Sequence, residues 1–192
     1  MKGLQRQYRE KIDILTDLTD RFPSSALLPT ALLEIAESYG ELGETGRAVE
    51  SYTALTARYP STDQGRQAQL MLAITYLNSG NTESAMTHYR KVIEMYPSSE
   101  QARVAAEDLK QLYAQQGRVD EYLRFINNVP EAPKPDSAEV AELTLRSAEA
   151  ARDKGRFADA ARLAAEVVEK YPDSPQAVEA LSIQAESAMQ TG

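Results

Sequence analysis

The sequence predicts an all-α fold: an α-solenoid of antiparallel helix pairs, about nine helices in all. Three observations carry that expectation. Prolines recur at one interval, with Pro23, Pro60 and Pro97 each 37 residues apart (60 − 23 and 97 − 60) and Pro172 a further 75 along, close to two more periods. Glycines recur separately: Gly43, Gly80, Gly117 and Gly155 follow one another at 37, 37 and 38 residues. Between these marks, apolar residues fall three and four apart, the spacing of one helix face. Period-two alternation is absent and β-branched residues are sparse, so strands are not expected.

Residues 8–22, "YREKIDILTDLTDRF", read as the second helix of a pair whose first helix is missing. The first full unit, residues 24–60, has the run "TALLEIAESYGELG", which sets Leu32, Ile35, Ala36 and Tyr39 on one face. After Gly43, "GRAVESYTALTARYP" sets Ala48, Tyr52, Leu55 and Tyr59 together. The second unit, 61–97, answers with Leu72, Ala73 and Tyr76, then Ala85, Tyr89, Val92 and Tyr96. The "YP" and "FP" pairs are punctuation, because a residue before proline is pushed out of the α region and the helix stops there. The hydroxyls that follow predict caps: Ser61 with Gln64 and Ser98 with Gln101 have capping-box spacing, and Ser174 precedes Pro175 at a first helical position.

The third unit, 98–136, is irregular. Tyr122 stands where its neighbours carry alanine, and "RVDEYLRFINNVP" is shorter than its counterparts. Pro130, Pro133 and Pro135 then predict an extended linker over 129–137, with the next helix resuming near Ser137. Bulk at a helix contact forces a wider approach, so an altered crossing is expected there, either as ordinary drift or as a hinge or docking notch. A fourth unit spans 137–172, and residues 174–190 read as a first helix without its second, reaching Gly192 where an inter-helix glycine belongs. A natural array ends on a polar capping helix. The ragged ends therefore predict a segment of a longer array, with Met1 an added start.

These residues resemble tetratricopeptide repeats. The small residue of the first helix (Ala36, Ala73, Ala148), the aromatic three further on (Tyr39, Tyr76), the alanine opening the second helix (Ala48, Ala85, Ala160), the aromatic four later (Tyr52, Tyr89) and the closing proline all match. Leu32 and Gln69 replace the usual tryptophan, and Ala151 and Ala164 replace aromatics in the fourth unit. The period exceeds the usual length of about 34. With the linkers "PSSALLPTAL" and "PDSPQAVEAL", this is similar to the bacterial envelope repeats of the BamD and YbgF type. The resemblance covers about residues 8–190 and implies a right-handed solenoid.

Twenty-nine acids against 21 bases give a net charge of −8, which disfavours a nucleic-acid partner, since phosphate binding needs a basic stripe. No apolar run is long enough to span a bilayer, and "MKGLQRQYREK" does not read as a signal peptide. With no cysteine, disulfides, thiol catalysis and cysteine–zinc sites are excluded, although compartment is not decided. The single histidine, His88, has no companion ligand and reads as a surface or packing residue. The glycines stand singly at turns and form no phosphate loop, and no serine has a triad around it. Acids such as Glu34, Glu37 and Glu41 read as a solvated face able to pair with neighbours such as Arg47. No catalytic, cofactor or metal residue is expected, and no enzyme activity.

First helices line the concave surface in the family this chain resembles, and that nominates Leu33 and Glu37, Leu70 and Ile74, Glu107 and Gln111, and Leu145 and Glu149, with Glu41 and Asn78 at the turn end. The plainer reading of Leu33, Leu70 and Ile74 is packing against adjacent repeats. The family's carboxylate clamp needs lysine and asparagine where this chain has Leu33, Glu37, Leu70 and Ile74, so a ligand held by its free C-terminus is disfavoured. The expected function is a non-enzymatic scaffold that binds an extended or helical protein segment. The alternative is a structural spacer or oligomerisation segment, self-associating through its terminal helices. No nucleic acid and no membrane insertion are expected. The expected location is the periplasm or outer-membrane surface of a Gram-negative bacterium, with the cytoplasm left open.

Overall fold

The computed structural model describes residues 2–191; Met1 and Gly192, to which the sequence assigned an added start and a turn, lie outside the described residues. The described residues form ten helices and no strand, where about nine were expected; they are the two ragged-end helices and four pairs, which together make ten. The chain divides between Tyr96 and Pro97 into two compact units. The first holds α1 (Lys2–Arg21), α2 (Leu28–Glu41), α3 (Thr45–Arg58), α4 (Asp63–Asn78) and α5 (Thr82–Met95). The second holds α6 (Glu100–Gln116), α7 (Val119–Asn128), α8 (Ser137–Asp153), α9 (Phe157–Lys170) and α10 (Gln176–Thr191). In each unit consecutive helices pack as antiparallel neighbours, the α-solenoid arrangement. Helix α1 starts six residues before the expected Tyr8, its first turns supported by the Arg6–Glu10 pair at 2.8 Å.

In the first unit the core is the seam between paired helices. Ala36 of α2 and Ala48 of α3 are fully buried with Tyr52, Leu55, Ala68 and Leu72, and Leu32, Tyr39 and Tyr59 pack around them. Ala73 and Ala85 repeat this in the next pair, as do Ala148 and Ala160 in the second unit, all without exposure. Alanine at the contact leaves two helices free to lie close, and each large side chain buried beside it stabilises the fold by about 1.5–3 kcal/mol.

The repeating glycines close each hairpin. Gly117 has φ +68°, and the Arg118 N–H beyond it donates to the Tyr113 carbonyl at 2.9 Å, the long bond of a Schellman motif. The equivalent bonds Glu44 to Tyr39, Asn81 to Tyr76 and Arg156 to Ala151 repeat at 2.9, 2.9 and 2.8 Å. The aromatic–proline stops also behave as expected: α3, α5 and α9 end one residue before Tyr59, Tyr96 and Tyr171. The Tyr96 hydroxyl donates to the Pro60 carbonyl at 2.9 Å, tying one stop to the preceding one.

Three caps differ from expectation. The cap of α4 is Thr62, whose hydroxyl accepts from Gly65 N–H at 3.0 Å, and that of α6 is Ser99, which accepts from Ala102 N–H at 3.0 Å. Each lies one residue beyond the predicted Ser61 and Ser98, so the third residue is Gly65 or Ala102 and no capping box forms. Thr62 is selected because its hydroxyl also donates back to the Tyr59 carbonyl at 2.8 Å. The Ser174 hydroxyl is buried without a hydrogen-bond partner and caps nothing. The reciprocal capping box instead joins Asp136 and Glu139 at the start of α8, where the linker ends.

In the irregular unit, α7 is the shortest helix, at 10 residues. Tyr122 is buried and packs against Tyr113 with ring centroids 6.1 Å apart. Lys110, not alanine, faces it on α6, and a cleft of ≈ 120 Å³ remains there, bordered by Pro133 and Pro135 of the linker. The linker's Glu131 adopts φ +61° and its carboxylate accepts from the Ser98 hydroxyl at 2.8 Å.

Gly65 shows how tightly the punctuation is built. A Cβ at this position would lie 1.9 Å from the Tyr59 carbonyl oxygen, whereas one at Gly46 would meet nothing within 4 Å. Gly65→Ala is expected to lower stability by about 1–3 kcal/mol, the cost of overpacking against a rigid neighbour. Gly46→Ala, inside α3, is expected to raise it by roughly 0.5–1 kcal/mol. Urea midpoints followed by far-ultraviolet circular dichroism check both.

Candidate functional site

A groove of ≈ 550 Å³ lies in the first unit between α2 and α4, closed at one end by α1 and floored by α3. It brings together four of the predicted residues: Glu37 and Glu41 on α2, Ile74 and Asn78 on α4. Tyr8 and Lys11 of α1, Tyr52 of α3 and Met71 of α4 complete the walls that bear on its chemistry. Helical spacing explains the arrangement. Residues 37 and 41 stand one turn apart on α2, as do 74 and 78 on α4, so each pair presents one continuous edge.

The groove is electrostatically one-sided. Lys11 reaches across to Glu34 and forms an ion pair with it. The Glu37 carboxyl is held above its ordinary range, first by burial, then by the Glu34 charge, with Glu41 adding to the lift and Lys11 opposing it. Tyr52, only 1% exposed, has its phenol pushed up as well, first by burial and then by the charges of Glu37 and Glu41. Ser38, one residue from Glu37, spends its hydroxyl on the Glu34 carbonyl at 2.6 Å. The groove therefore combines an acidic rim with an apolar strip from Met71 and Ile74.

The remaining predicted residues are placed differently. Leu70 and Leu145 are 5% and 6% exposed and belong to the core. A first helix in a stack is covered by its own partner and by the first helix of the adjoining pair, which leaves those leucines no solvent face. Leu33 is half-buried against the same seam as Ala36 and Tyr52. Glu107 and Gln111, in the second unit, are engaged within the chain. Lys110 bridges Glu107 and Glu139, the latter at 2.9 Å, and Gln111 donates to Glu107 at 3.2 Å while accepting from Arg146 at 2.9 Å. These contacts stitch α6 to α8. They leave a shallow cleft of ≈ 260 Å³ whose charges are largely matched.

Tyr8, Lys11 and Tyr52 have no place among the predicted residues. The pairing of α1 with α2 is a tertiary fact, and Tyr52 reads from its spacing as core. His88 is a packing residue, stacked on Tyr76 at 5.1 Å with its Nδ1 accepting from Gln69 at 2.9 Å. Its pKa is lowered, first by burial and then by Lys91, so the neutral ring that accepts this bond is favoured. Gln69, buried where the resembled repeats carry tryptophan, thus has its amide satisfied. Among the described residues no group of acids and histidine is arranged to hold a metal ion, and no helix is long and apolar enough to cross a membrane.

Comparison with known proteins gives a consistent picture. The family YfiO, described as outer membrane lipoprotein, matches residues 30–187. No curated protein matches the chain in sequence. Among solved structures, a tetratricopeptide repeat protein from Parabacteroides merdae ATCC 43184 has a TM-score of 0.52 at 16% identity, over 100% of this chain and 73% of that one. A putative kinesin light chain of Podosopora anserina with nearly identical TPR-like repeats has a TM-score of 0.52 at 18% identity, over 97% and 92%. These likenesses show the fold: the chain is a tetratricopeptide repeat protein of the BamD type, as the linkers and the period led us to expect.

Glu149, the last of the predicted residues, is half-buried on α8. Its carboxyl is raised above the ordinary 4.5, first by burial, then by the charge of Glu179 on α10 and a hydrogen bond shared with it; Arg152 opposes and Asp153 adds to the lift. In the window between 4.5 and the raised value, the folded chain holds a proton that the unfolded chain has lost, so stability falls as pH rises through it. Below that window the difference vanishes. Glu149→Gln keeps the hydrogen bond without the charge. It is expected to melt higher than the native chain at neutral pH, with the advantage fading once the pH drops below 4.5, as read by paired melting curves.

Proposed function

The chain belongs to the YfiO family of outer membrane lipoproteins, and from that premise we propose that it is a non-enzymatic interaction scaffold of the bacterial envelope. The α2–α4 groove receives a segment of a partner protein, extended or helical, and the working location is the periplasmic side of the outer membrane in a Gram-negative bacterium. The observation that carries this reading is the convergence of Glu37, Glu41, Ile74 and Asn78 on one preformed groove. A groove already formed by packed helices binds without first ordering itself, which favours recognition by shape. Ile74 supplies the apolar anchor; the carboxylates at the rim select against acidic segments.

A photo-reactive amino acid placed at Asn78 in the host cell tests this. Cross-linking to one discrete envelope protein is expected from Asn78 and not from Ala54, which is exposed on α3 away from the groove. Ile74→Glu is expected to cut the yield roughly tenfold, the loss of an anchor worth about 1.4 kcal/mol. Equal yields from the two positions, or a yield indifferent to Ile74→Glu in a chain that still melts normally, would remove the groove from the function.

A further inference from the structure

We propose that the α2–α4 groove selects a basic side chain. The segment it holds presents an arginine or lysine, with the charged head between Glu37 and Glu41 and the methylene stem along Met71 and Ile74. This rests on the reading of the groove as the partner site and adds the chemistry of the partner.

The first ground is charge left over. The acids nearest these two on the chain are matched, Glu34 by Lys11 and Glu44 by Arg9 and Arg47 at 2.8 and 2.9 Å. Glu37 and Glu41 make no ion pair among the described residues, although they stand one turn apart on the same helix edge. Lys11 is the only cation among the described lining residues, and it is committed to Glu34. A like charge beside a partly desolvated carboxyl raises that carboxyl's cost of ionisation. Burial and the Glu34 and Glu41 charges lift the Glu37 carboxyl in just this way, against the pull of Lys11. A cation placed between Glu37 and Glu41 would offset that cost and pair with both carboxylates.

The second ground is independent of the acids. Tyr52 is 1% exposed, lines the groove and makes no hydrogen bond among the described residues. Its ring is buried, while its hydroxyl is not among the enclosed, unbonded polar atoms; the hydroxyl opens on the groove, where its oxygen can accept a hydrogen bond. An ammonium or guanidinium head has donors and no acceptor, the complement of two carboxylates and a phenol oxygen. Guanidinium fits better, because its fixed fork of five N–H groups can serve several acceptors together. Met71 and Ile74, both half-buried, give the aliphatic stem a surface to lie on while the head stays at the acidic rim.

The test uses the full chain with labelled isoleucine and methionine methyl groups, titrated with the blocked peptide Ac-Ala-Leu-Arg-Leu-Ala-NH2. Two further peptides carry norleucine or glutamate in place of arginine. The arginine peptide is expected to shift the Ile74 and Met71 methyl signals and to bind roughly tenfold more tightly than the norleucine peptide, the margin of charge-assisted over apolar contact. The glutamate peptide is expected to bind more weakly than either. The arginine advantage should shrink with added salt, disappear in the near-isosteric double variant Glu37→Gln/Glu41→Gln, and fall by a smaller factor in Tyr52→Phe. Equal binding of the arginine and norleucine peptides at Ile74 would overturn the selection for charge while leaving the groove as a partner site. Shifts confined to other parts of the chain, or none from any peptide, would overturn the inference; cross-linking from Asn78 then decides separately whether the groove holds a partner. Melting curves of the variants exclude misfolding as the cause of any loss.

Discussion

Two helices lie close only where neither carries bulk at the contact, and every regular feature of this chain follows from that condition. Ala36 with Ala48, Ala73 with Ala85, and Ala148 with Ala160 leave the seam open, and all six are fully buried. Once the seam is close, Tyr52, Leu55 and their counterparts can fill the space beside it, and the hairpin becomes a rigid unit. The proline stops and left-handed glycine turns have a subordinate task. They bring each seam to the same place in each pair by fixing where one helix ends and the next begins. The hydrogen bond from Tyr96 to the Pro60 carbonyl shows two stops coupled directly, so the period read along the chain is also a contact made in space.

The third pair shows what happens when the condition fails. Lys110 and Tyr122 stand where alanines face each other elsewhere, and the space is filled in a different way. Tyr122 turns against Tyr113, its phenol pushed up to about 12, first by burial and then by the charges around it, with Lys110 opposing. The proline linker lies across the cleft that remains, held by the Ser98–Glu131 bond and stopped by the Asp136–Glu139 capping box. Irregularity in sequence has become irregularity in packing, confined to one pair.

What was legible in the sequence divides along the same line. The period, the stops and the turns could be read because proline and glycine act on their own backbone, and the identity of each small seam residue followed from spacing. The caps were read one residue early. Serine and threonine are adjacent at 61–62, two serines at 98–99, and only the position of the Tyr59 carbonyl favours Thr62. Four of the groove's lining residues, Glu37, Glu41, Ile74 and Asn78, were legible through the resemblance, which places first helices on the concave face. Leu70 and Leu145 have the same spacing and are buried, because α4 packs on α2 and α8 on α10, each a helix outside its own pair. Tyr8 and Lys11 could not be assigned for the converse reason, since a residue on α1 enters the groove only through the packing of α1 on α2. The spacing of Tyr52 reads as core, and the residue is buried; that it also lines the groove depends on a gap that no spacing encodes.

The seam also decides where charge is left unmatched. Lys110 is the counterpart of Ala36, one position of the repeat read in two different pairs. In the second unit that exchange delivers a cation into the midst of the acids, and Lys110 takes up both Glu107 and Glu139. Its ammonium charge is held more firmly by those two partners, against the opposing and largest effect of burial. The acids there are consequently structural. In the first unit the seam keeps its alanine, no cation arrives from α2, and Lys11 from α1 is drawn to Glu34. Glu37 and Glu41 are therefore left without an ion pair among the described residues, beside an apolar strip. The same small residue that lets α2 and α3 close on each other leaves the neighbouring acids without an ion pair among the described residues, so regular packing and the surface proposed for a basic ligand have a common origin.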